Sequence, residues 1–497
     1  MIEMMMIGAV ILLLCVASSK LLYRLGIPTL LIALVLGMLF GSDGIVGIQF
    51  DNYELARQLC SFGLVFIMFY GGFGTNWKAA KPVVKPALFM STLGVVLTAA
   101  LTGLFCTMLL QCSIWQGMLI GSVVASTDAA SVFAILRSRK LNLKGGLASL
   151  LELESGSNDP ISYMLTAIFI AVLTGSQGPG AIGMMLLKQI VFGLALGFLF
   201  AKAGVLVLRK INLEIDGLYP IFTVAIVVLG YSLCEYLGGN GYLCIYIIGI
   251  VLGNSKILHK RYLVHFFDGL SWVMQIILFF ILGLLSFPSQ LPQVALPGIL
   301  MSLFMIFIAR PASTFAILSW FKVPFKRQLL VSWVGLRGSA SIVFAIYVMA
   351  SGAEIGTDLF HMVFFVALFS ISVQGTLIPW VAKKLDVVEP DISVFKTFND
   401  YQEEGSAQLI EVTVQDDSPW ANKSLMDAEI PEELLVVMIK REGKVLVPKG
   451  ATMILPGDVM VLSGDRSVLL SVGKGVLPDP HPKEDAPAQE SEDSSKM

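Results

Sequence analysis

Residues 151–160 read Leu-Glu-Leu-Glu-Ser-Gly-Ser-Asn-Asp-Pro, and an apolar run from Ile161 to Thr174 follows them. The apolar run makes this region long enough to cross a bilayer. Three carboxylates, one amide and two hydroxyls therefore lie in or beside one membrane segment. A charged side chain in hydrocarbon is costly, so an acid in this place is a candidate functional residue. The alternative is a loop just outside the lipid, which fits Glu152 better than Asp159.

The composition is that of a polytopic membrane protein. Hydrophobic residues make up 56% of the 497 residues and charged residues 14%, whereas a soluble protein carries about 25% charged residues. The net charge of −2 indicates no particular partner, and no nucleic acid is expected. The six cysteines form no Cys-x-x-Cys pair and no Cys/His cluster, so we predict neither a disulfide framework nor a cofactor. Residues 1–6 contain no basic side chain, so we interpret the first apolar run as a retained helix.

Thirteen segments are predicted as membrane helices by length and hydrophobicity. Basic residues cluster in the loops that follow odd-numbered segments, with Arg57 and Lys188 as exceptions. Positive charge stays cytoplasmic during insertion, so we predict a periplasmic N-terminus and a cytoplasmic C-terminus. The predicted limits are 4–23, 27–42, 57–74, 84–111, 115–136, 150–174, 183–208, 217–236, 241–254, 266–286, 293–319, 327–350 and 357–383.

The composition changes after the last segment, which divides the chain into four parts. We predict a transmembrane domain at 1–385, a polar linker at 386–408 and a small soluble domain at 409–475. Residues 476–497 are rich in Pro, Glu, Asp and Ser, cannot bury a core and are expected to be disordered.

The soluble domain has the pattern of a small α/β unit. Alternation predicts four strands, Ser418-Pro419-Trp420 suggests a turn into a short helix, and Pro456-Gly457-Asp458 predicts a turn before the last strand. The predicted strands are 409–414, 434–439, 444–447 and 459–462.

A second polar interruption, Ala125-Ser126-Thr127-Asp128, lies in the middle of the fifth segment. Ser and Thr side chains can bond the backbone groups that a helix break frees in lipid. Asp128 needs either a partner or a helix N-terminus there. One interpretation is that it merely caps a helix end.

The opening stretch could carry an exchange reaction. Glu154 and Asn158 are four residues apart on a helix and share a face, and Asp159 is rotated by about 100° from Asn158. A carboxylate in a site that opens alternately to either side can hold a monovalent cation or a proton, but not comfortably both. That competition alone would couple the two fluxes.

A third polar interruption, Gly335-Leu336-Arg337-Gly338, lies in the twelfth segment. Arg337 stays charged at ordinary pH and needs a buried anion, and we expect Glu154 to be its partner. Arg310 in the eleventh segment is a second candidate cation that can be structural. The two interrupted helices are seven segments apart and cross in opposite directions, which is typical of inverted repeats with a site where two broken helices meet.

These residues resemble the monovalent cation:proton antiporter superfamily, in its NhaP and eukaryotic sodium/proton exchanger branch. Thr127-Asp128, Glu154 followed by Asn158-Asp159, and Gly335-Leu336-Arg337-Gly338 carry the resemblance, which covers residues 1–385. It implies a polytopic α-helical antiporter fold, with thirteen transmembrane helices of which two are crossed and unwound. It also implies a homodimer.

The resemblance implies a role for each site residue. Asp159 binds the cation or proton, and Ser155, Asp128 and backbone near Thr127 contribute.

The Glu154–Arg337 pair is structural, and Asn158 tunes the core. An Asn-Asp pair in place of Asp-Asp implies electroneutral one-for-one exchange. Ala129 departs from the family, which often has Pro there, and leaves the geometry of the fifth helix open.

The soluble domain resembles the C-terminal half of potassium-conductance regulatory domains, the TrkA-C type. Ser418-Pro419, Lys423-Ser424-Leu425 and Pro456-Gly457-Asp458 carry this match. An antiporter followed by such a domain resembles bacterial cell-volume-regulation potassium/proton antiporters. A nucleotide or small molecule is a candidate ligand of the domain.

The sequence therefore predicts an electroneutral potassium/proton antiporter of a bacterial inner membrane, in contact with membrane lipids and not an enzyme, with sodium as the alternative cation. Two other classes fit less well. A gated potassium channel would need a Thr-Val-Gly-Tyr-Gly filter, and Gly241-Tyr242 lacks that context. An intramembrane hydrolase built on Asp128 and Asp159 would leave Arg337 without a role.

Overall fold

The computed structural model divides into two compact units, Met1–Asn399 and Asp400–Met497. The described elements of the first unit are helices, and the second unit contains a sheet. The predicted disordered tail, 476–497, lies outside the described residues. The structure describes Met6 and residues 8–17, 30–139, 141–175, 178–211, 213–257, 260–356, 358–389, 408–416, 418–428, 430–431, 434–441 and 444–464.

Fifteen helices make up the described part of the first unit. Three of them contain a π-helical turn: α4 at Met90–Gly94, α12 at Met305–Ala309 and α15 at Ser370–Gly375. In chain order the helices are α1 (Gly8–Ala17), α2 (Leu30–Phe40), α3 (Tyr53–Gly74), α4 (Trp77–Leu110), α5 (Ile114–Val124), α6 (Ala129–Ser138), α7 (Leu147–Leu173), α8 (Pro179–Lys210), α9 (Leu218–Tyr236), α10 (Gly241–Gly253), α11 (Lys260–Leu284), α12 (Leu291–Leu318), α13 (Phe325–Trp333), α14 (Ser339–Ala350) and α15 (Leu359–Lys384).

The helices have the length and hydrophobicity of membrane spans. Within the described residues, eight helical stretches are long and apolar enough to cross a membrane, and α1, α2, α10 and α14 are shorter apolar helices. Helix α7 has 27 residues and is long enough, but it carries the three acids of the opening stretch. The total of thirteen crossings stays a prediction.

Two helical stretches are interrupted, as the sequence predicts. Helix α5 ends at Val124 and α6 begins at Ala129, while α13 ends at Trp333 and α14 begins at Ser339. The two breaks touch, because the Asp128 amide donates to the Leu336 carbonyl at 2.9 Å. Each break therefore supplies the other with a backbone hydrogen-bond partner that lipid cannot supply.

Helix α7 is held against α10 beside the site. A Cβ added at Gly156 would come within 2.6 Å of the Tyr246 hydroxyl oxygen, so only glycine permits this approach. The Asn240 side chain, which caps α10, donates to the Pro160 carbonyl at 2.8 Å. These contacts fix the position of the polar residues of α7 along α10.

The second unit is a four-stranded antiparallel sheet of order β1-β4-β2-β3, with β1 (Gln408–Thr413), β2 (Leu434–Arg441), β3 (Lys444–Leu446) and β4 (Val459–Gly464). All four predicted strands are confirmed. The predicted short helix after Trp420 is wrong, because the described residues 418–428 form turns and one bridge from Ser424 to Met453. Trp420 instead packs into the core beside Ile439 and Met460.

The first four residues of the predicted linker contact the loop between α6 and α7. The Lys144 amide donates to the Val387 carbonyl at 2.8 Å, and the Glu389 amide donates to the Asn142 carbonyl at 3.0 Å. The Lys144 ammonium lies 3.0 Å from Asp386 and lowers the pKa of that carboxyl. Residues 386–389 therefore lie against the loop that joins α6 and α7.

An ion pair between the buried Asp458 carboxylate and the partly exposed Arg441 organises the turn before β4. Asp458 is 1% exposed, and its carboxylate accepts two hydrogen bonds from Arg441, both at 2.7 Å, and one from the Leu455 amide at 2.8 Å. The hydrogen bonds from Arg441, ahead of those from the backbone, hold the pKa of Asp458 below its ordinary value.

Asp458→Asn should destabilise the second unit by about 2 kcal/mol, because it weakens the two charge-assisted hydrogen bonds from Arg441. Hydrogen exchange of the β2 and β4 amides in the full chain measures this. The folded pKa is below the unfolded one, so the stabilisation is full above pH about 4 and is lost as pH falls through the folded value. Exposed Asp416→Asn is the control. Equal protection in both variants would contradict the assignment.

Candidate ion-binding site

Asp159 lies on α7 beside the break between α5 and α6. The buried Ser126 hydroxyl donates to its Oδ1. Asp159 itself is half-buried. No side chain that the structure describes forms an ion pair with it. The carboxylate is therefore free to take a positive charge from outside the protein.

Two neighbouring side chains of α7 bond the backbone of the break. The Ser155 hydroxyl donates to the Thr127 carbonyl at 2.8 Å and accepts from the Ala129 amide at 2.9 Å. The Asn158 side chain donates to the Thr127 hydroxyl at 2.5 Å and accepts from the Thr127 amide at 3.3 Å. The predicted residues Thr127, Ser155, Asn158 and Asp159 thus lie together.

Asp128 caps the N-terminus of α6. Its carboxylate accepts from the Ser131 amide at 3.2 Å and from the Ser131 hydroxyl at 2.6 Å, which is the N-cap geometry. Gly338 closes the other side, since a Cβ there would lie 2.6 Å from the Asp128 Cγ. The capping interpretation therefore describes the contacts of Asp128.

The expected Glu154–Arg337 pair is wrong. Both oxygens of Glu154 accept from the Arg310 Nη2, each at 2.8 Å. Glu154 is 1% and Arg310 2% exposed. Arg310 directly follows the π-helical turn of α12, and one extra residue in a helix rotates the residues beyond it by about 100°. The spacing of residues in the sequence could not show that this turn directs Arg310 towards Glu154 on α7.

Arg337 contacts the end of α5 instead. Its Nη1 donates to the Ala125 carbonyl at 2.6 Å and to the Ser126 carbonyl at 2.8 Å. These carbonyls lie just after the last turn of α5, where the helix dipole places partial negative charge. Arg337 is 3% exposed, and its hydrogen bonds go to the end of a helix and not to a carboxylate side chain.

Sequence reasoning missed Ser126 as the partner of Asp159 and gave Arg310 only a secondary place. The signal for Ser126 was present, because it belongs to the quoted interruption in the fifth segment. Ser131, which holds Asp128, lies three residues after it, the spacing of a helix cap.

Two interrupted helices that meet beside a half-buried acid define a secondary active transporter. The family described as "Sodium/hydrogen exchanger, transmembrane" matches residues 9–384, and the TrkA-C domain matches residues 409–474. The chain therefore belongs to the sodium/hydrogen exchanger family and is a membrane-spanning protein with a TrkA-C domain.

Curated relatives cover most of the chain. It is 35% identical to the K(+)/H(+) antiporter NhaP of Alkalimonas amylolytica, over 88% of this chain and 77% of that protein. It is 34% identical to the K(+)/H(+) antiporter NhaP2 of Shewanella sp. strain ANA-3, over 90% and 78%. It is also 28% identical to the Na(+)/H(+) antiporter 1 of Methanocaldococcus jannaschii, over 69% and 83%.

A solved structure shares the fold. The sodium proton antiporter MjNhaP1 of Methanocaldococcus jannaschii superimposes with a TM-score of 0.67 at 25% identity. The match covers 77% of this chain and 99% of that one. The first unit therefore has the NhaP antiporter fold.

Arg310→Met should destabilise the protein by about 3–5 kcal/mol, because it leaves Glu154 buried and unpaired. The double variant with Glu154→Leu should regain most of that loss, since it removes both charges. Thermal unfolding in detergent measures both. The opposite result would be that Glu154→Leu regains stability when it is combined with Arg337→Met but not when it is combined with Arg310→Met. That result would show that Glu154 pairs with Arg337, as the sequence predicts.

Proposed function

We propose that the protein exchanges potassium ions for protons one for one, by alternating access, across a bacterial inner membrane. The observation that carries this proposal is Asp159, a half-buried carboxylate at the meeting point of two interrupted helices, with a hydroxyl donor and no cationic partner among the described residues. Potassium is supported by the relatives that carry the name K(+)/H(+) antiporter. Sodium is the second candidate, supported by the Methanocaldococcus relative.

The charges around the break support an exchange without net charge movement. Glu154 is neutralised by Arg310. Asp128 and Arg337 contribute one charge of each sign at the ends of α6 and α5. Asp159 then adds one negative charge, which either one proton or one monovalent cation neutralises. A buried net charge is costly, so the core favours carrying one or the other in each direction.

The neighbours of Asp159 have separate roles in this proposal. Ser155 and the oxygens of Thr127 are neutral ligands beside the carboxylate. Asp128 adds negative charge and holds α6 in place. Asn158 holds the break at Thr127 without adding a charge, so that the site carries one exchangeable charge. The cation binds at Asp159.

We infer transport and not catalysis. A paired-carboxylate hydrolase would need Asp128 and Asp159 directed at one substrate, whereas Asp128 bonds Ser131 and Asp159 bonds Ser126. Arg337, which such an enzyme would leave without a role, bonds two carbonyls at the break.

The remaining features of the proposal concern the whole protein. We propose a homodimer, as the family resemblance implies, and a periplasmic N-terminus with a cytoplasmic C-terminus, as the basic loops indicate. The domain limits proposed are 1–385, 386–408, 409–475 and 476–497, with the TrkA-C domain as a regulatory unit that binds a nucleotide or another small molecule. No cofactor is proposed.

Asp159→Asn should abolish exchange, because an amide can neither bind a proton at ordinary pH nor neutralise a cation. Everted vesicles with a pH-sensitive dye measure this as dequenching after potassium or sodium salts are added. Glu152→Gln on the same helix is the matched control and should retain exchange. Undiminished exchange by Asp159→Asn would contradict the assignment.

The same vesicles separate the two cations. Potassium should give half-maximal dequenching at a lower concentration than sodium at each pH. Dequenching by sodium and lithium, with none by potassium or rubidium, would replace potassium by sodium in the proposal and leave the role of Asp159 in place.

A further inference from the structure

The hydroxyl of Ser155 is already engaged on two sides. A serine hydroxyl has one hydrogen to donate and two lone pairs that accept. Its hydrogen goes to the Thr127 carbonyl at 2.8 Å, and one lone pair accepts from the Ala129 amide at 2.9 Å. Only one lone pair is left for a cation.

The engaged oxygen lies next to the charge carrier. Ser155 and Asp159 are four residues apart on α7, so they occupy the same face one turn apart. Ser155 is also buried, so bulk water does not compete for its oxygen. A cation at Asp159 therefore meets Ser155 as its neutral neighbour on α7.

The amide that bonds Ser155 is the first one of α6. Ala129 is the first residue of that helix, and amides in the first turn have no acceptor within the helix. They also carry the positive end of the helix dipole. This N–H therefore makes the Ser155 oxygen a weaker ligand, both by occupying a lone pair and by placing positive charge beside it.

We propose that the Ala129 N–H determines the cation preference of the site by weakening the Ser155 oxygen. The inference rests on the proposed exchange at Asp159. Coulomb attraction grows as the ion–oxygen distance shortens, so a stronger oxygen favours the smaller sodium ion more than potassium. An oxygen weakened by the amide shifts the balance towards the larger ion, whose water shell is also easier to remove.

The fold allows the amide to be removed alone. Proline is well accepted at the first position of a helix, because the missing N–H has no helical partner there. The residue before a proline is driven out of the α region, and Asp128 already lies outside α6 as its cap. Ala129→Pro therefore deletes the donor to Ser155 and leaves the helix hydrogen bonds intact.

The test is the ratio of half-maximal sodium and potassium concentrations in everted vesicles. Ala129→Pro should change this ratio about 5-fold in favour of sodium. A free-energy change of about 1 kcal/mol, the contribution of one hydrogen bond, corresponds to this factor. Ala129→Gly, which keeps the N–H, should have the wild-type ratio. In a Ser155→Ala background, Ala129→Pro should change nothing further.

A second variant covers a failure of the proline variant to fold. Replacing the Ala129 residue by lactic acid turns the amide into an ester, which removes the N–H without adding a ring. The ester should give the same shift towards sodium. A wild-type ratio in the ester or proline variant, in protein that exchanges cations, would overturn the inference. Absence of exchange in the wild-type protein would instead remove the proposed function, and the inference with it.

Discussion

The break between α5 and α6 is the constraint on which the rest of the site depends. Four residues between the two helices lie within a long apolar stretch, where each unsatisfied backbone group would cost several kcal/mol. Ser155 and Asn158 hydrogen-bond the carbonyl and the amide of Thr127, while Arg337 donates to the carbonyls of Ala125 and Ser126. The polar residues of α7 and of the break between α13 and α14 therefore first satisfy backbone groups. Only the hydrogen-bonding capacity that remains is available to an ion.

This requirement explains why charged residues accumulate in one place. Arg337 is held by the end of α5, and Asp128 by the start of α6, so each lies where the helix dipole stabilises its charge. Glu154 and Arg310 neutralise each other. Asp159 is left with one hydroxyl donor and one uncompensated charge, which is the property an exchange site needs.

Much of this arrangement could be predicted from the sequence, because each element has a local signal. Interrupted apolar segments predicted the two breaks, and the residue pattern within 409–462 predicted the four strands of the second unit. The partner of Glu154 could not be predicted, because a π-helical turn in α12 decides where Arg310 points. The bond from Ala129 to Ser155 was equally hidden, since it depends on how close α6 and α7 approach.

The loop between α6 and α7 contacts the residues that follow α15. Residues 386–389 pair with it through two backbone hydrogen bonds and the Lys144–Asp386 ion pair. Residues 386–389 are therefore bonded to the loop between α6, which Asp128 caps, and α7, which carries Asp159.

The most direct test of exchange at Asp159 is the number of protons released when one cation binds. Calorimetric titration of the detergent-solubilised protein with potassium chloride, in two buffers of different ionisation enthalpy, gives this number. Below the pH at which Asp159 loses its proton, we predict about one proton released per cation bound, and no binding in Asp159→Asn. Cation binding without proton release in the wild-type protein, or unchanged binding in Asp159→Asn, would contradict exchange at this carboxylate.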